Sequence, residues 1–120
     1  MGRADIEDAL AKLEQVHKQL AVLSTGAEAG WEKEYLQRRR MLQEQINRLC
    51  QADAQLNLCD EDSRRFRDAF SRFRTATALH QADWPVVDIN RQDPAYGQSA
   101  ANVGQTYQNF MTVMRTLMQR

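Results

Sequence analysis

Apolar residues separated alternately by three and four positions dominate the first part of the chain. They are Ile6, Ala9, Leu13, Val16, Leu20 and Leu23. An α-helix has about 3.6 residues per turn, so residues at these spacings line one side of it, as in the heptad seam of a coiled coil. The pattern stops at Ser24-Thr25-Gly26, and glycine commonly follows the last residue of a helix. Residues 5–25 are therefore predicted to form one amphipathic helix.

A second helix is predicted from near Glu28 into the low fifties. Its apolar positions are Trp31, Tyr35, Leu42, Ile46 and Leu49, with Arg38 or Arg39 standing where the period calls for an apolar residue. The link between the first two helices has only a few residues. Such a short link implies an antiparallel helical hairpin, anchored by Trp31.

Two further helices are predicted in the rest of the chain. Acidic residues at Asp60-Glu61-Asp62 suit the first turn of a helix that ends near His80. Ser99 is a candidate N-cap for the last helix. Pro and Gly residues predict that 82–98 is an irregular connection, with Val86, Val87 and Ile89 folded inward. Together these elements predict an all-α protein, a four-helix bundle in a single domain covering 1–120.

Charge and hydropathy exclude several classes of protein. Sixteen Lys and Arg balance sixteen Asp and Glu, so net charge provides no attraction to nucleic acid or to an anionic membrane. Apolar runs are far shorter than the roughly 20 residues of a membrane span. The polar start of the chain lacks the apolar core of a signal peptide, so a cytoplasmic location is expected, with Cys50 and Cys59 reduced.

The sequence contains few residues arranged for chemistry. Glu14 and His17 have the Glu-x-x-His spacing of di-iron bundles, but a second copy of that motif is missing, and Cys50 and Cys59 have no Cys-x-x-Cys pair. No glycine-rich phosphate loop occurs. We therefore expect a protein that is not an enzyme and has no metal or cofactor.

The last helix has the broadest apolar face in the chain, which makes it the predicted surface for a protein partner. The predicted partner-binding residues are Tyr107, Phe110, Met111, Met114 and Met118. Flexible Met side chains suit adaptable binding surfaces, although a Met and aromatic stripe is more often core. Apolar residues off the main seams, such as Leu36 and Met41, and the seam of the first helix would also suit a homodimer.

Two arginine clusters make nucleic-acid binding the alternative function. The candidate contacts are Arg38, Arg39, Arg40, Arg64, Arg65 and Arg67. Arginine recognises phosphate through its two-pronged guanidinium. Acidic residues flank both clusters, however, and intrahelical ion pairs such as Glu34 with Arg38 are the favoured explanation. Nucleic acid is therefore the weaker expectation, since a phosphate-binding face needs a local surplus of positive charge.

The predicted second helix begins with Ala29-Gly30-Trp31-Glu32, and Arg40-Met41-Leu42 follows about two turns later. With these motifs and a preceding helix of similar length and pattern, residues 6–49 resemble the flagellar and type III secretion export chaperones of the FliT type. The resemblance implies a small cytosolic all-helical chaperone that binds a secretion substrate or regulator without hydrolysing nucleotide. It also implies a last helix that regulates access to the binding surface. The segment from Trp84-Pro85 to Gly97 departs from the pattern of that family.

Overall fold

A computed structural model of the chain describes residues 2–26, 29–86 and 89–119. Within these ranges it contains five α-helices and no strand: α1 (Arg3–Thr25), α2 (Trp31–Leu49), α3 (Ala52–Gln55), α4 (Asp60–Asp83) and α5 (Pro94–Met118). The predicted all-α fold class is confirmed. Across the residues described, none of the helices combines the length and apolar character that a membrane crossing requires.

The chain divides into two compact units, Met1–Gln55 and Leu56–Arg120. In the first unit α1 packs against α2, and in the second α4 packs against α5. All four of the long predicted helices are therefore present, as two helical hairpins. That residues 1–120 form a single domain stays a prediction.

The predicted seam of α1 is the buried side of that helix. Its first four members, Ile6 to Val16, are almost fully buried, whereas Leu20 and Leu23 are only half-buried. Gly26 follows the last helical residue, as the sequence indicates. The antiparallel arrangement is visible in Arg48, near the end of α2, which donates hydrogen bonds to Asp8 and to the backbone oxygen of Asp5 near the start of α1.

The second helix begins at Trp31 and ends earlier than its periodicity predicts. Gly30 precedes it with φ 79°, a left-handed conformation that glycine adopts without steric cost. This turn makes Trp31 the first helical residue, and the predicted start near Glu28 falls outside the described residues. Trp31 lies edge-on to Tyr35, with ring centroids 5.4 Å apart. The helix stops at Leu49, and the predicted extension into the low fifties is the separate short helix α3.

The second unit is built on aromatic side chains. Phe66, Phe70 and Phe73 of α4 are buried together with Tyr107 and Phe110 of α5. The helices run antiparallel, since Phe66 near the start of α4 meets Phe110, while His80 near its end meets Ser99 in the early part of α5. Three acidic residues occupy the first turn of α4, as predicted.

The irregular connection is shorter than the predicted 82–98 and covers only 84–93. Helix α4 continues to Asp83, and Trp84 ends it by donating its backbone N–H to the oxygen of His80. Asp93 and Pro94, which the sequence pattern treats as an interruption, start α5: Asp93 is the N-cap and its side chain accepts a hydrogen bond from the Ala95 N–H. Proline suits this position because its missing N–H needs no partner in the first turn.

The same shift in helix bounds corrects the predicted cap at Ser99, which lies inside α5. Val86 and Ile89 of the connection are half-buried. Val87 lies outside the described residues.

Candidate functional site

The predicted partner-binding residues of α5 belong mainly to the interior of the second unit. Phe110 and Met114 are 0% exposed, Tyr107 and Met111 are buried, and Met118 is half-buried. In this conformation four of the five side chains are therefore out of reach of a partner. Their predicted role as an exposed docking face does not agree with this packing, because the apolar faces of α4 and α5 cover each other.

Phe110 lies at the centre of this buried cluster. Its ring centroid is 6.2 Å from that of Phe66, 5.6 Å from that of Phe70 and 5.7 Å from that of Phe73. Tyr107 lies one turn earlier and contacts Phe73, with centroids 5.9 Å apart. Aromatic pairs at such distances contribute beyond the apolar area that they bury. The Met and aromatic face of α5 thus explains how the second unit is held together.

The first arginine cluster does not present three equivalent cations. Arg39 is buried, and its guanidinium lies over the ring of Tyr35, 4.8 Å from the centroid. Arg38 is half-buried and forms the expected ion pair with Glu34, at 3.5 Å. Only Arg40 is fully at the surface. The period break noted in the sequence is thus filled by an arginine whose planar head packs on an aromatic ring.

The second arginine cluster is at the surface of α4. Arg64, Arg65 and Arg67 are exposed, and Arg65 pairs with Glu61 at 3.1 Å. Arg38, Arg39 and Arg40 belong to the first unit and these three to the second. Each cluster is therefore described within its own unit, and nucleic-acid binding by these six residues stays a prediction.

A groove runs between α1 and α2 on one side of the first hairpin. It has a volume of about 150 Å³, and most of its surface is apolar. Its lining residues are Lys12, Gln15, Val16, Gln19, Met41 and Gln45. We call it the hairpin groove. Met41, at 36% exposed, is the large apolar side chain that the groove leaves accessible.

Hydrogen bonds hold the rim of the hairpin groove in place. One carboxylate oxygen of Asp8 lies 3.0 Å from Lys12 Nζ and 3.0 Å from Arg48 Nη1. The same Arg48 nitrogen donates to Gln45 Oε1 at 2.9 Å. Hydrogen bonds from Lys12 and Arg48 lower the pKa of Asp8, because they stabilise its charged form. Asp8 and Arg48 therefore connect two residues that line the groove, Lys12 of α1 and Gln45 of α2.

The sequence contains a signal for this groove beside the heptad seam. Lys12, Gln15 and Gln19 follow one another at spacings of three and four next to the seam of α1, and Met41 and Gln45 are one turn apart on α2. Such rows mark the flank of a buried face. Which flank borders a groove depends on how the second helix packs against the first. The sequence pattern of either helix alone does not determine that packing.

The described residues contain no cluster of three or more side chains suited to a metal ion. Glu14 of the candidate Glu-x-x-His pair forms an ion pair with Lys18 at 3.1 Å. Burial lowers the pKa of His17, which favours its neutral form. Cys50 and Cys59 are free thiols at the surface.

A polar contact that the sequence did not predict joins the two helices of the second unit. His80 Nδ1 lies 2.6 Å from Ser99 Oγ, and the imidazole lies against the ring of Tyr96, with centroids 5.4 Å apart. Trp84 meets the same tyrosine edge-on, also at 5.4 Å. His80 and Tyr96 are buried, so this cluster fastens the end of α4 to the beginning of α5.

The hairpin groove is thus a candidate site with a defined shape within the part of the chain that the structure describes. Comparisons with models of protein families, with curated proteins and with solved structures found no match to this chain.

Proposed function

We propose that this protein is a non-enzymatic helical adaptor or secretion chaperone that binds an amphipathic helix of a protein partner in the hairpin groove. The observation that carries the proposal is the groove itself, whose surface is mostly apolar and whose rim is polar. The resemblance of residues 6–49 to the FliT-type export chaperones supports the same function, since every residue that lines the groove lies in that segment.

The size of the groove suits one inserted side chain. The groove has a volume of about 150 Å³. A cavity of that size is large enough for a benzene ring, so a single Leu or Phe of a partner would occupy it. Helix-in-groove recognition works in this way, with apolar residues of an amphipathic helix anchored in an apolar cleft. Met41 adds a flexible thioether at the surface, which adapts to side chains of different shape.

The polar rim supplies orientation. Gln15, Gln19 and Gln45 each carry an amide that both donates and accepts hydrogen bonds. Gln45 is already oriented by Arg48, and Lys12 by Asp8. Groups that are held in place before binding lose less conformational entropy when the partner arrives.

The buried face of α5 is a less suitable contact surface because exposing it is costly. Each large apolar side chain taken from the core into water costs about 1.5–3 kcal/mol, so four would cost about 6–12 kcal/mol, against a total domain stability of about 5–15 kcal/mol. A partner would have to repay nearly all of the folding energy. The hairpin groove requires no such rearrangement.

The test has two steps, of which the first identifies the partner. A photo-crosslinking amino acid placed at Gln15 in the living cell should capture a protein at the hairpin groove, and mass spectrometry identifies it. A secreted protein would support the chaperone function, whereas a protein retained in the cell would support an adaptor. The purified partner is then titrated by calorimetry against the wild-type chain.

The second step uses two matched variants of α2. Met41→Glu puts a charge into the groove, whereas Leu36→Glu changes a similarly exposed residue, 41% against 36%, that does not line it. We expect Met41→Glu to weaken binding about tenfold or more and Leu36→Glu to leave it unchanged. Equal affinity of the two variants would contradict the proposal, as would the absence of any crosslinked protein.

A further inference from the structure

Met41 is the most exposed of the methionines that the structure describes. It is 36% exposed, whereas Met111 and Met114 are buried in the second unit and Met118 is half-buried. Peroxides oxidise methionine to methionine sulfoxide, and an accessible sulfur reacts more readily than a buried one. We therefore expect Met41 to react before the methionines of α5.

The sulfur of Met41 accepts a hydrogen bond from a guanidinium group. Arg38 lies one turn earlier on α2, and its Nη1 donates to Met41 Sδ at 3.2 Å. The Nη2 of the same guanidinium lies 3.5 Å from Glu34 Oε1. Arg38 is thus held between a carboxylate and a thioether, and a thioether is only a weak acceptor.

The oxidation of Met41 needs one molecule of peroxide and no cofactor. A lone pair of Sδ attacks one oxygen of hydrogen peroxide, so that an S–O bond forms and the O–O bond breaks. The proton of the attacked oxygen passes to the departing hydroxide, which leaves as water. The sulfur loses two electrons and the peroxide gains them. A methionine sulfoxide reductase reverses the change, with two electrons and two protons from a pair of thiols, and the oxygen leaves as water.

Arg38 is placed to hold the oxidised side chain. A sulfoxide oxygen accepts hydrogen bonds much better than a thioether sulfur. It is bonded directly to that sulfur, so the Nη1 that reaches Sδ is also within reach of the new oxygen. Hydrogen bonds with a charged donor are stronger than those between neutral groups. Oxidation should therefore leave the hairpin folded and keep the sulfoxide beside the hairpin groove.

Oxidation changes the chemical character of the hairpin groove. Among the six residues that line it, Val16 and Met41 are apolar, and Val16 is only 1% exposed. Met41 is therefore the apolar side chain that a partner meets first. A sulfoxide there is polar, and the lone pair of its oxygen that Arg38 leaves unpaired holds water. An apolar side chain of a partner would have to remove that water without replacing its hydrogen bond, which is unfavourable.

We propose that Met41 is a reversible oxidation site, at which a peroxide converts the thioether to a sulfoxide and thereby lowers the affinity of the hairpin groove for an apolar side chain. The effect on binding rests on the proposed function. The oxidation site does not, because it follows from the exposure of Met41 and from its contact with Arg38.

The first measurement uses hydrogen peroxide and the full chain alone. Cys50→Ser with Cys59→Ser serves as the background, because both thiols are exposed and would consume peroxide. Peptide mapping by mass spectrometry follows the formation of sulfoxide at each methionine over time. We expect Met41 to react at least about tenfold faster than Met111 and Met114, because a buried sulfur reacts only when its surroundings open.

The second measurement tests the contact between Arg38 and the oxidised side chain. The thermal midpoints of oxidised and reduced protein are compared in the same background, in Arg38→Gln and in Arg40→Gln. Arg40 is an exposed arginine of the same helix and serves as the matched control. Arg38→Gln removes the charged donor, so oxidation should lower its midpoint by on the order of 4 °C more than in the other two proteins.

The third measurement uses the partner protein purified for the test of the proposed function. The oxidised and reduced chains are titrated by calorimetry, beside a Met41→Leu variant treated with the same peroxide. Leucine has a similar volume and cannot be oxidised, so this variant should bind the partner before and after treatment. We expect oxidation to weaken binding about tenfold when Met41 is present and to leave the Met41→Leu variant unchanged.

Three results would overturn the inference. Oxidation of Met111 or Met114 as fast as that of Met41 would reject the site, whatever becomes of the groove. The same shift of midpoint in Arg38→Gln and in Arg40→Gln would mean that Arg38 does not hold the sulfoxide. Unchanged binding by the oxidised chain would reject the control of the groove. If Met41→Glu still weakens that binding, only the inference fails, whereas an ineffective Met41→Glu rejects the proposed function as well.

Discussion

Replacing Phe110 with alanine should show how much the aromatic cluster contributes to the stability of the second unit. Phe110 is 0% exposed and its ring contacts those of Phe66, Phe70 and Phe73, at centroid distances of 6.2, 5.6 and 5.7 Å. The substitution removes the ring from all three contacts and leaves a cavity. Both the lost burial and the cavity reduce the free energy of unfolding.

The expected magnitude is large compared with the stability of a small domain. A buried Phe→Ala change costs about 3–5 kcal/mol, and each ring pair accounts for about 0.5–1.5 kcal/mol within that cost. Domains of this size unfold with about 5–15 kcal/mol in total. At a urea slope of about 1–3 kcal/mol per M, the midpoint of unfolding should fall by at least about 1 M.

The assay is urea unfolding followed by far-UV circular dichroism, with Leu79→Ala as the control. Leu79 lies on the same helix as the phenylalanines but is 59% exposed, so its truncation should change stability by no more than about 0.5 kcal/mol. If Phe110→Ala is as stable as the control, the burial of the α5 face against α4 is refuted. The Met and aromatic face would then regain its predicted role as a partner surface.

Two further substitutions test polar contacts. Ser99→Ala removes the hydrogen bond to His80 and should cost about 0.5–1.5 kcal/mol in urea unfolding, while Ser99→Thr keeps the hydroxyl; equal stability of all three proteins would contradict this. Lys12 and Arg48 lower the pKa of Asp8, so Arg48→Gln should raise that pKa in an NMR titration. The pKa of Asp8 in the folded protein lies below the ordinary value of 3.8. The contribution of its contacts with Lys12 and Arg48 to stability is therefore present above pH 3.8 and is lost as the pH falls through the folded pKa. An unchanged Asp8 titration would rule out the contact with Arg48.

The positions of the helices are largely predictable from the sequence. The errors arise at residues that are compatible both with the end of a helix and with the start of one. Gly26 and the acidic residues from Asp60 mark helix ends in the structure as they do in the sequence. Asp93-Pro94 reads as an interruption in the sequence, yet the same pair is a cap and a first helical residue. Proline disfavours helix before it and tolerates helix after it, so the direction of the boundary depends on whether the residues after the proline continue as a helix.

The candidate sites are harder to predict from the sequence than the helices, because the same type of side chain can lie in the protein interior or form a binding surface. Arg39 counts as a cation in the sequence but is buried over Tyr35. Met111 and Met114 would suit an adaptable binding surface and the protein interior equally well. The structure places both in the interior. Met41 is only an apolar residue off the seam in the sequence, and it borders the hairpin groove in the structure.

The sequence by itself determined the all-α class, the four long helices and the apolar face of each. The reason is that helical hydrogen bonds join residues four apart and apolar periodicity is read within one helix. Only the tertiary structure decided which faces are covered and where a groove remains. Burial depends on residues distant in the chain: the face of α5 is closed by the phenylalanines of α4, whereas α2 leaves one flank of α1 open beside Met41.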